Sequence, residues 1–442
     1  MERKDLSMYR YMCLVVVLVL LLVGCSTNDN NQNNDKAKEK EESIIDDNEV
    51  NDDKNENGTT DNPDKKEKTV DEKIEEMIDG MTLEEKIGQM FMIDADSLNN
   101  APVTVLDDFG REVIKKYNLG GVIFFKNNID TIPQTEKLIS DIQETSSIPL
   151  FISVDEEGGI VSRIAKNPNM HATVLPDNKV IGDTENPENA YKIGQILGRE
   201  ISSLGFNMDF APVADINTNP GNTVIGVRSY GSDEQLVGDM VYNCVKGLQD
   251  ENVSAVVKHF PGHGDTTNDT HLGSVVTNHS IERLREIEFV PFKKGIEADV
   301  DGVMIAHIKA PQIDETNTEA SLSKKIVTDI LRNELGYDGL AITDALNMGA
   351  IVNEYGTKEA CIKAVEAGVD ILLMPVPFEE GYSGVLESVI TKVISEERID
   401  ESVRRILKVK FKRDLFNKDN TKNAEEILGS KENLDLLESI KK

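Results

Sequence analysis

The 442 residues include no tryptophan, only six histidines and only four cysteines. So few cysteines exclude a disulfide scaffold, and with no paired C-x-x-C motif the common zinc modules are excluded too. Cations are also scarce: 48 Lys and Arg stand against 80 Asp and Glu, a formal charge of −32. Phosphate backbones demand clustered cations, so nucleic acid is not expected as a partner. A P-loop is missing, and no G-x-G-x-x-G turn follows the first apolar strand pattern, which removes the common nucleotide-binding signatures. Chemistry is left to carboxylates and a few histidines, and neither a metal nor a cofactor is expected. The length admits two or three average domains or one large barrel with accessories, enough for a sizeable core.

Long apolar runs are equally rare. Arg3, Lys4 and Arg10 precede one, Met12–Val23, which ends at Gly24 and Cys25. Its 12 residues fall short of the roughly 20 of a membrane-spanning helix, so residues 1–24 read as a signal peptide. Leu22-Val23-Gly24-Cys25 resembles the lipobox of bacterial lipoproteins, in which the Cys is lipidated and becomes the new N-terminus. An ordinary secretory peptide or a short anchor is the alternative, and either still exports the chain. Residues 26–70 hold 14 acids, 7 Lys and 10 Asn, with only five apolar residues, and cannot build a core. Residues 25–70 are therefore expected to be a disordered tether with a reach of about 35–40 Å, extended because its acids repel anionic headgroups. The expected location is extracytoplasmic, on the outer face of the cytoplasmic membrane, with the lipid as the only membrane contact.

From Thr82 onward short apolar runs alternate with amphipathic segments, the pattern of βα units and a parallel sheet. Strands are predicted at 90–93, 121–125, 150–154, 208–213, 255–257, 302–306, 340–343 and 371–374, with helices at 190–204, 281–298 and 324–335 among those between them. Eight strands fit a single (β/α)8 TIM-like barrel spanning residues 71–416, followed by a charged tail over 417–442. The runs end in Asp155, Asp215, Lys258-His259, His307 and Asp344, and in a parallel barrel all such ends face one mouth, where active sites are built. Each of these Asp residues taken alone could cap a helix. Cys244 and Cys361, in helical patterns, read as core thiols.

Four of the six histidines lie between His259 and His279. His259 and His263 have a helical metal spacing, but Pro261 and Gly262 intervene and no H-E-x-x-H follows, so a helical zinc site is not expected. Asp269-Thr270-His271 reads as an acid/base unit: in an extended loop i and i+2 project to one side, and the carboxylate can orient the imidazole and stabilise its cation.

With these residues in view, the chain resembles the exo-β-N-acetylglucosaminidases of glycoside hydrolase family 3 over most of Thr82–Ile406. The markers are Lys258-His259-Phe260-Pro261-Gly262-His263-Gly264-Asp265-Thr266 with Asp269-x-His271, then Val154-Asp155-Glu156-Glu157-Gly158-Gly159, Asp209-Phe210-Ala211-Pro212-Val213, Ile225-x-x-Arg228-Ser229-Tyr230 and Thr343-Asp344-Ala345-Leu346-Asn347-Met348. The resemblance implies Asp344 as the nucleophile of a covalent glycosyl-enzyme and His271, assisted by Asp269, as acid/base. It places Asp155, Arg163, Arg228, Lys258 and His259 around the terminal sugar, ordinary rim ion pairing being the competing reading of each. His307 has weaker support, and His171, His263 and His279 read as structural.

The implied activity is retaining removal of terminal N-acetylglucosamine from N-acetylglucosaminides and muropeptides by a monomer. Two departures stand out, Glu156 where Gln is frequent and Ile160 where Arg is frequent. Many members carry a second α/β domain after the barrel; here a helical segment at 401–415 and a charged end are read instead, so barrel loops must provide every catalytic group. Alternatives are a phosphorylase, because an imidazole tolerates incoming phosphate where a carboxylate repels it, and a non-catalytic sugar-binding lipoprotein. A β-glucosidase fits less well, since such relatives take their acid from the second domain.

Overall fold

The computed structural model describes residues 68–99, 102–266, 270, 273, 275–417 and 422–440. The signal peptide, Cys25 and the tether up to residue 67 lie outside the described residues, as do Asp269 and His271; residues 68–70, counted with the tether, instead open the helix Val70–Gly80, which Thr69 caps. Eight parallel strands form one sheet: β1 (Phe91–Asp94), β2 (Gly121–Ile123), β3 (Phe151–Val154), β4 (Met208–Asp209), β5 (Ser254–Phe260), β7 (Gly302–Ile305), β9 (Leu340–Thr343) and β10 (Leu372–Leu373). Their order is β10-β1-β2-β3-β4-β5-β7-β9. The ends nearly meet, because Ile342 bridges Ile371 and the Thr343 N–H donates to the Ile371 carbonyl at 3.1 Å. The α/β barrel expected from the alternating pattern is what forms, and each anticipated strand window contains or overlaps one strand.

The differences have local causes. The fourth window, 208–213, contracts to Met208–Asp209 as regular strand. Pro212 has no N–H to give a ladder, although the Ala211 and Pro212 carbonyls still accept from Val256 and Lys258 at 3.0 and 3.3 Å. The window 281–298 divides into Ile281–Glu286 and Phe289–Glu297, because Pro291 can neither donate to the Ile287 carbonyl nor clear it. A second, two-stranded sheet pairs β6 (Val275–Val276) with β8 (Ile308–Lys309) at the mouth. Two residues per strand are too few for any periodic signal.

Helix starts carry the side chains that their sequences advertise. Thr69 with Glu72 and Thr82 with Glu85 form reciprocal capping boxes, and Asn186 caps Pro187–Ser203. Cys244 and Cys361 are fully buried, and burial pushes the Cys244 thiol up to about 12, so both pack as inert apolar groups. Among the described residues no helix is long and apolar enough to cross a membrane.

The region read as a charged tail contains two helices, Ala424–Ile427 and Lys431–Ile440. Buried Glu200, on Pro187–Ser203, accepts from the Gly429 N–H at 2.9 Å, Asn433 Nδ2 at 3.0 Å and Thr173 Oγ1 at 2.6 Å, which ties this end to the barrel. Its removal strands buried donors on Thr173 and Asn433 and the partly buried Gly429 N–H. Glu200→Ala is therefore expected to lower unfolding stability by about 2–4 kcal/mol in urea titration; an unchanged midpoint would refute this docking role.

Candidate active site

The residues that follow β3, β5, β7 and β9 meet at the C-terminal mouth of the barrel, and they are charged. Lys258 sits at the end region of β5, with its side chain only 2% exposed. Its ammonium donates to Asp155 Oδ1 and contacts Glu157 Oε1, both at 2.7 Å. Arg228 grips the same Glu157 with two bonds, Nε to Oε2 at 2.9 Å and Nη2 to Oε1 at 2.7 Å. Arg163 approaches the other oxygen of Asp155 at 3.8 Å and lies over the Phe125 ring, 5.8 Å from its centroid. Asp155, Arg163, Arg228, Lys258 and His259 are thus brought together in one charged cluster.

His259 completes it. Its Nδ1 lies 2.6 Å from Asp215 Oδ2, and Arg228 Nη2 faces its Nε2 at 3.4 Å. A carboxylate only accepts and a guanidinium only donates, so the proton belongs on Nδ1 and the lone pair on Nε2. Asp215 also accepts from the His263 N–H at 2.6 Å, joining the strand end to the histidine-rich loop.

Two carboxylates that sequence reasoning did not assign to the site therefore organise it. Burial would raise Glu157, but Lys258 and Arg228 override it and hold its pKa down to about 2. Burial opposes ionisation of Asp215 as well, and His259 outweighs it, so that carboxyl is also lowered. In return Lys258, which burial alone would discharge, is raised by Asp155 and Glu157. The available signals were Glu157 inside the quoted Asp-Glu-Glu run and Asp215 at a strand end; neither says which cation it faces.

Glu156, one of the two departures, turns away from the cations. It accepts from Ser162 Oγ at 2.5 Å and from the Arg163 and Ile164 N–H groups at 2.6 and 2.9 Å, so it shapes the turn that carries Arg163. Burial nevertheless raises its pKa. Ile160, the other departure, is half exposed on the rim.

Asp344 follows β9. Its N–H donates to the Ile305 carbonyl and its Oδ1 accepts from the Ala345 N–H, both at 2.8 Å. The described residues of the histidine-rich loop are held by contacts of their own. Gly264 passes so close to the Ile216 carbonyl that a Cβ would stand 1.9 Å from it. Asp265 accepts from Thr218 Oγ1 at 2.8 Å and meets His279 Nε2 at 2.5 Å. Thr270, between Asp269 and His271, is buried and accepts from the Ala350 N–H at 3.1 Å. His263 is buried on Thr266 Oγ1, and burial lowers its pKa. Among the described residues no group of three or more His, Cys, Asp or Glu is arranged to hold a metal ion.

A parallel barrel that gathers carboxylates, cations and a strand-terminal aspartate at its C-terminal mouth has its charged groups where active sites of this fold are built. The chain belongs to glycosyl hydrolase family 3: the pattern of the Glycosyl hydrolase family 3 N terminal domain matches residues 82–409. It is 34% identical over 370 residues to beta-hexosaminidase A of Pseudoalteromonas piscicida, covering 75% of this chain and 61% of that protein. The structure of a family 3 beta-N-acetylglucosaminidase from Paenibacillus sp. FPU-7 superposes with a TM-score of 0.76 at 39% identity, over 81% of this chain and 68% of that one. A beta-glucoside phosphorylase, BglX, superposes with a TM-score of 0.75 at 26% identity, over 84% and 66%.

The lowered pKa of Glu157 has a defined consequence. Unfolded, this carboxyl takes up its proton near 4.5; folded, it resists until about 2. Its contribution is complete above pH 4.5, on the order of 3 kcal/mol, and is lost as pH falls through that window toward 2. The stability difference between wild type and Glu157→Gln, measured by urea unfolding at several pH values, should be largest above pH 4.5 and shrink below it. A difference independent of pH would sink the assignment.

Proposed function

We propose that the chain is a retaining exo-glycosidase that removes terminal non-reducing β-N-acetylglucosamine, with peptidoglycan fragments as its natural substrates. Asp344 attacks the anomeric carbon. His271, assisted by Asp269, protonates the departing oxygen, and then deprotonates the water that releases the sugar from Asp344. With an ordinary pKa of about 6.5, an imidazole can serve both steps near neutrality. Asp155 accepts from sugar hydroxyls, while Lys258, Arg163 and Arg228 donate to hydroxyl oxygens and His259 offers its Nε2 lone pair. Since these groups are already braced by Glu157 and Asp215, little reorganisation accompanies binding.

The observation that carries this reading is the bond from the Ala350 N–H to the Thr270 carbonyl. It links the residue between the two dyad members to the segment that follows Asp344. The names of the family 3 hexosaminidase and glucosaminidase relatives favour an N-acetylated sugar. The reading also includes a lipid on Cys25, a tether from there to residue 67 and an extracytoplasmic, monomeric enzyme.

Release of 4-nitrophenol from its N-acetylglucosaminide tests the assignment. Asp344→Ala should abolish it, by at least about 10^3-fold. His271→Ala should lose far more rate on a disaccharide than on the nitrophenyl substrate, whose leaving group needs no proton. An active Asp344→Ala protein would defeat the reading. The similarity to a phosphorylase keeps one alternative open to measurement: sugar 1-phosphate formed in phosphate buffer would replace hydrolysis by phosphorolysis, and equal rates with free sugar as the product would dismiss it.

A further inference from the structure

His307 lies at the end of β7 with no exposed surface, and it does more than fill space. Its Nε2 is 3.0 Å from the Ala345 carbonyl oxygen and its Nδ1 is 2.7 Å from Ser321 Oγ. The carbonyl only accepts, so Nε2 carries the proton; in the neutral ring the Ser321 hydroxyl then donates to Nδ1. Ser321 is itself buried, and its N–H donates to the Ala306 carbonyl at 3.2 Å, one residue before His307. On the far side, the N–H of the same Ala345 donates to Asp344 Oδ1 at 2.8 Å. Leu346 follows, with its N–H on the Leu373 carbonyl at 2.9 Å. The turn after Asp344 is thereby held between β7 and β10, and His307 is the side chain that grips its middle.

We propose that His307 is a positioning residue for the reaction: the Ala345 carbonyl selects its Nε2–H tautomer, Ser321 holds the ring in place through Nδ1, and the Nε2–H clamps Ala345 so that the Asp344 carboxylate is aimed at the anomeric carbon. The proposal rests on the reading of Asp344 as nucleophile. A clamp of this kind acts on attack geometry and leaves sugar recognition to the Lys258, Arg228 and His259 cluster. Displacing a reacting atom by about 1 Å costs up to about 100-fold in rate.

The test is single-turnover release of 4-nitrophenol from its N-acetylglucosaminide, which reads the step in which Asp344 attacks. His307→Leu should slow that step by about 10- to 100-fold with the binding constant for N-acetylglucosamine unchanged. His307→Gln, whose amide N–H can reach the same carbonyl, should recover most of the rate, and Ser321→Ala should fall between. Histidine-selective 15N NMR of the wild type should show His307 protonated on Nε2, and Ser321→Ala, which leaves the carbonyl in place, should keep that proton while its Nδ1 signal shifts, a readout that holds even if the leucine variant does not fold. Equal losses in the Leu and Gln variants, an unchanged rate in Ser321→Ala and His307→Leu, or an Nδ1–H tautomer would each overturn the clamp. If these occur while Asp344→Ala is inactive, the clamp alone is wrong; an active Asp344→Ala removes the nucleophile and the clamp together.

Discussion

Glu157 is a carboxylate taken out of water between two cations, and the mouth of this barrel is organised around that fact. A buried anion is tolerated only when it is paired and fully hydrogen-bonded. Lys258 and Arg228 meet that demand with three contacts of 2.7–2.9 Å. The dependence runs both ways, because a lysine side chain with 2% exposure would shed its proton without anionic neighbours. With Glu157 in place, the two cations remain charged and fixed in direction. Asp155 and His259, which contact those cations, inherit that fixed geometry.

The same logic extends outward from the cluster. Asp215 orients His259 and also holds the backbone of His263, so one carboxylate couples the charged cluster to the start of the histidine-rich loop. Asp265 and His279 tie the two sides of that loop together. Glu156 gathers the turn that bears Arg163, a job a carboxylate does well because it can accept from several donors at once. Neighbouring acids in one short run thus serve different ends: Asp155 stays partly open at the mouth, Glu156 builds a turn, and Glu157 anchors cations. The chain as a whole carries a charge of −32, and its mouth interleaves Lys258, Arg228 and Arg163 with carboxylates. A neutral, hydroxyl-rich ligand is matched by such a mixed field better than by one sign of charge alone.

Much of the barrel was legible in the chain because a parallel strand buried on both faces must be a short apolar run, and helices between runs must be amphipathic. Leu340–Thr343 was read with the bounds it has, and the other strands within a few residues. Failures fell where pattern carries no information. Ile281–Glu297 kept its helical period across a break that one proline imposes, and β6 and β8 are too short to show a period at all. The helices at Ala424–Ile427 and Lys431–Ile440 were hidden by charge, since their docking uses a few polar contacts to Glu200 alongside a modest apolar stripe.

Which residue types gather at the barrel mouth was legible in the sequence alone: strand-end aspartates, a Lys-His pair and a histidine-rich loop. The partners of those groups were decided only by the tertiary structure. Glu157 is 71 residues from Arg228 and Asp215 is 44 from His259. No periodicity links positions so far apart. The closing of the sheet makes them neighbours, and burial then makes their charges depend on one another.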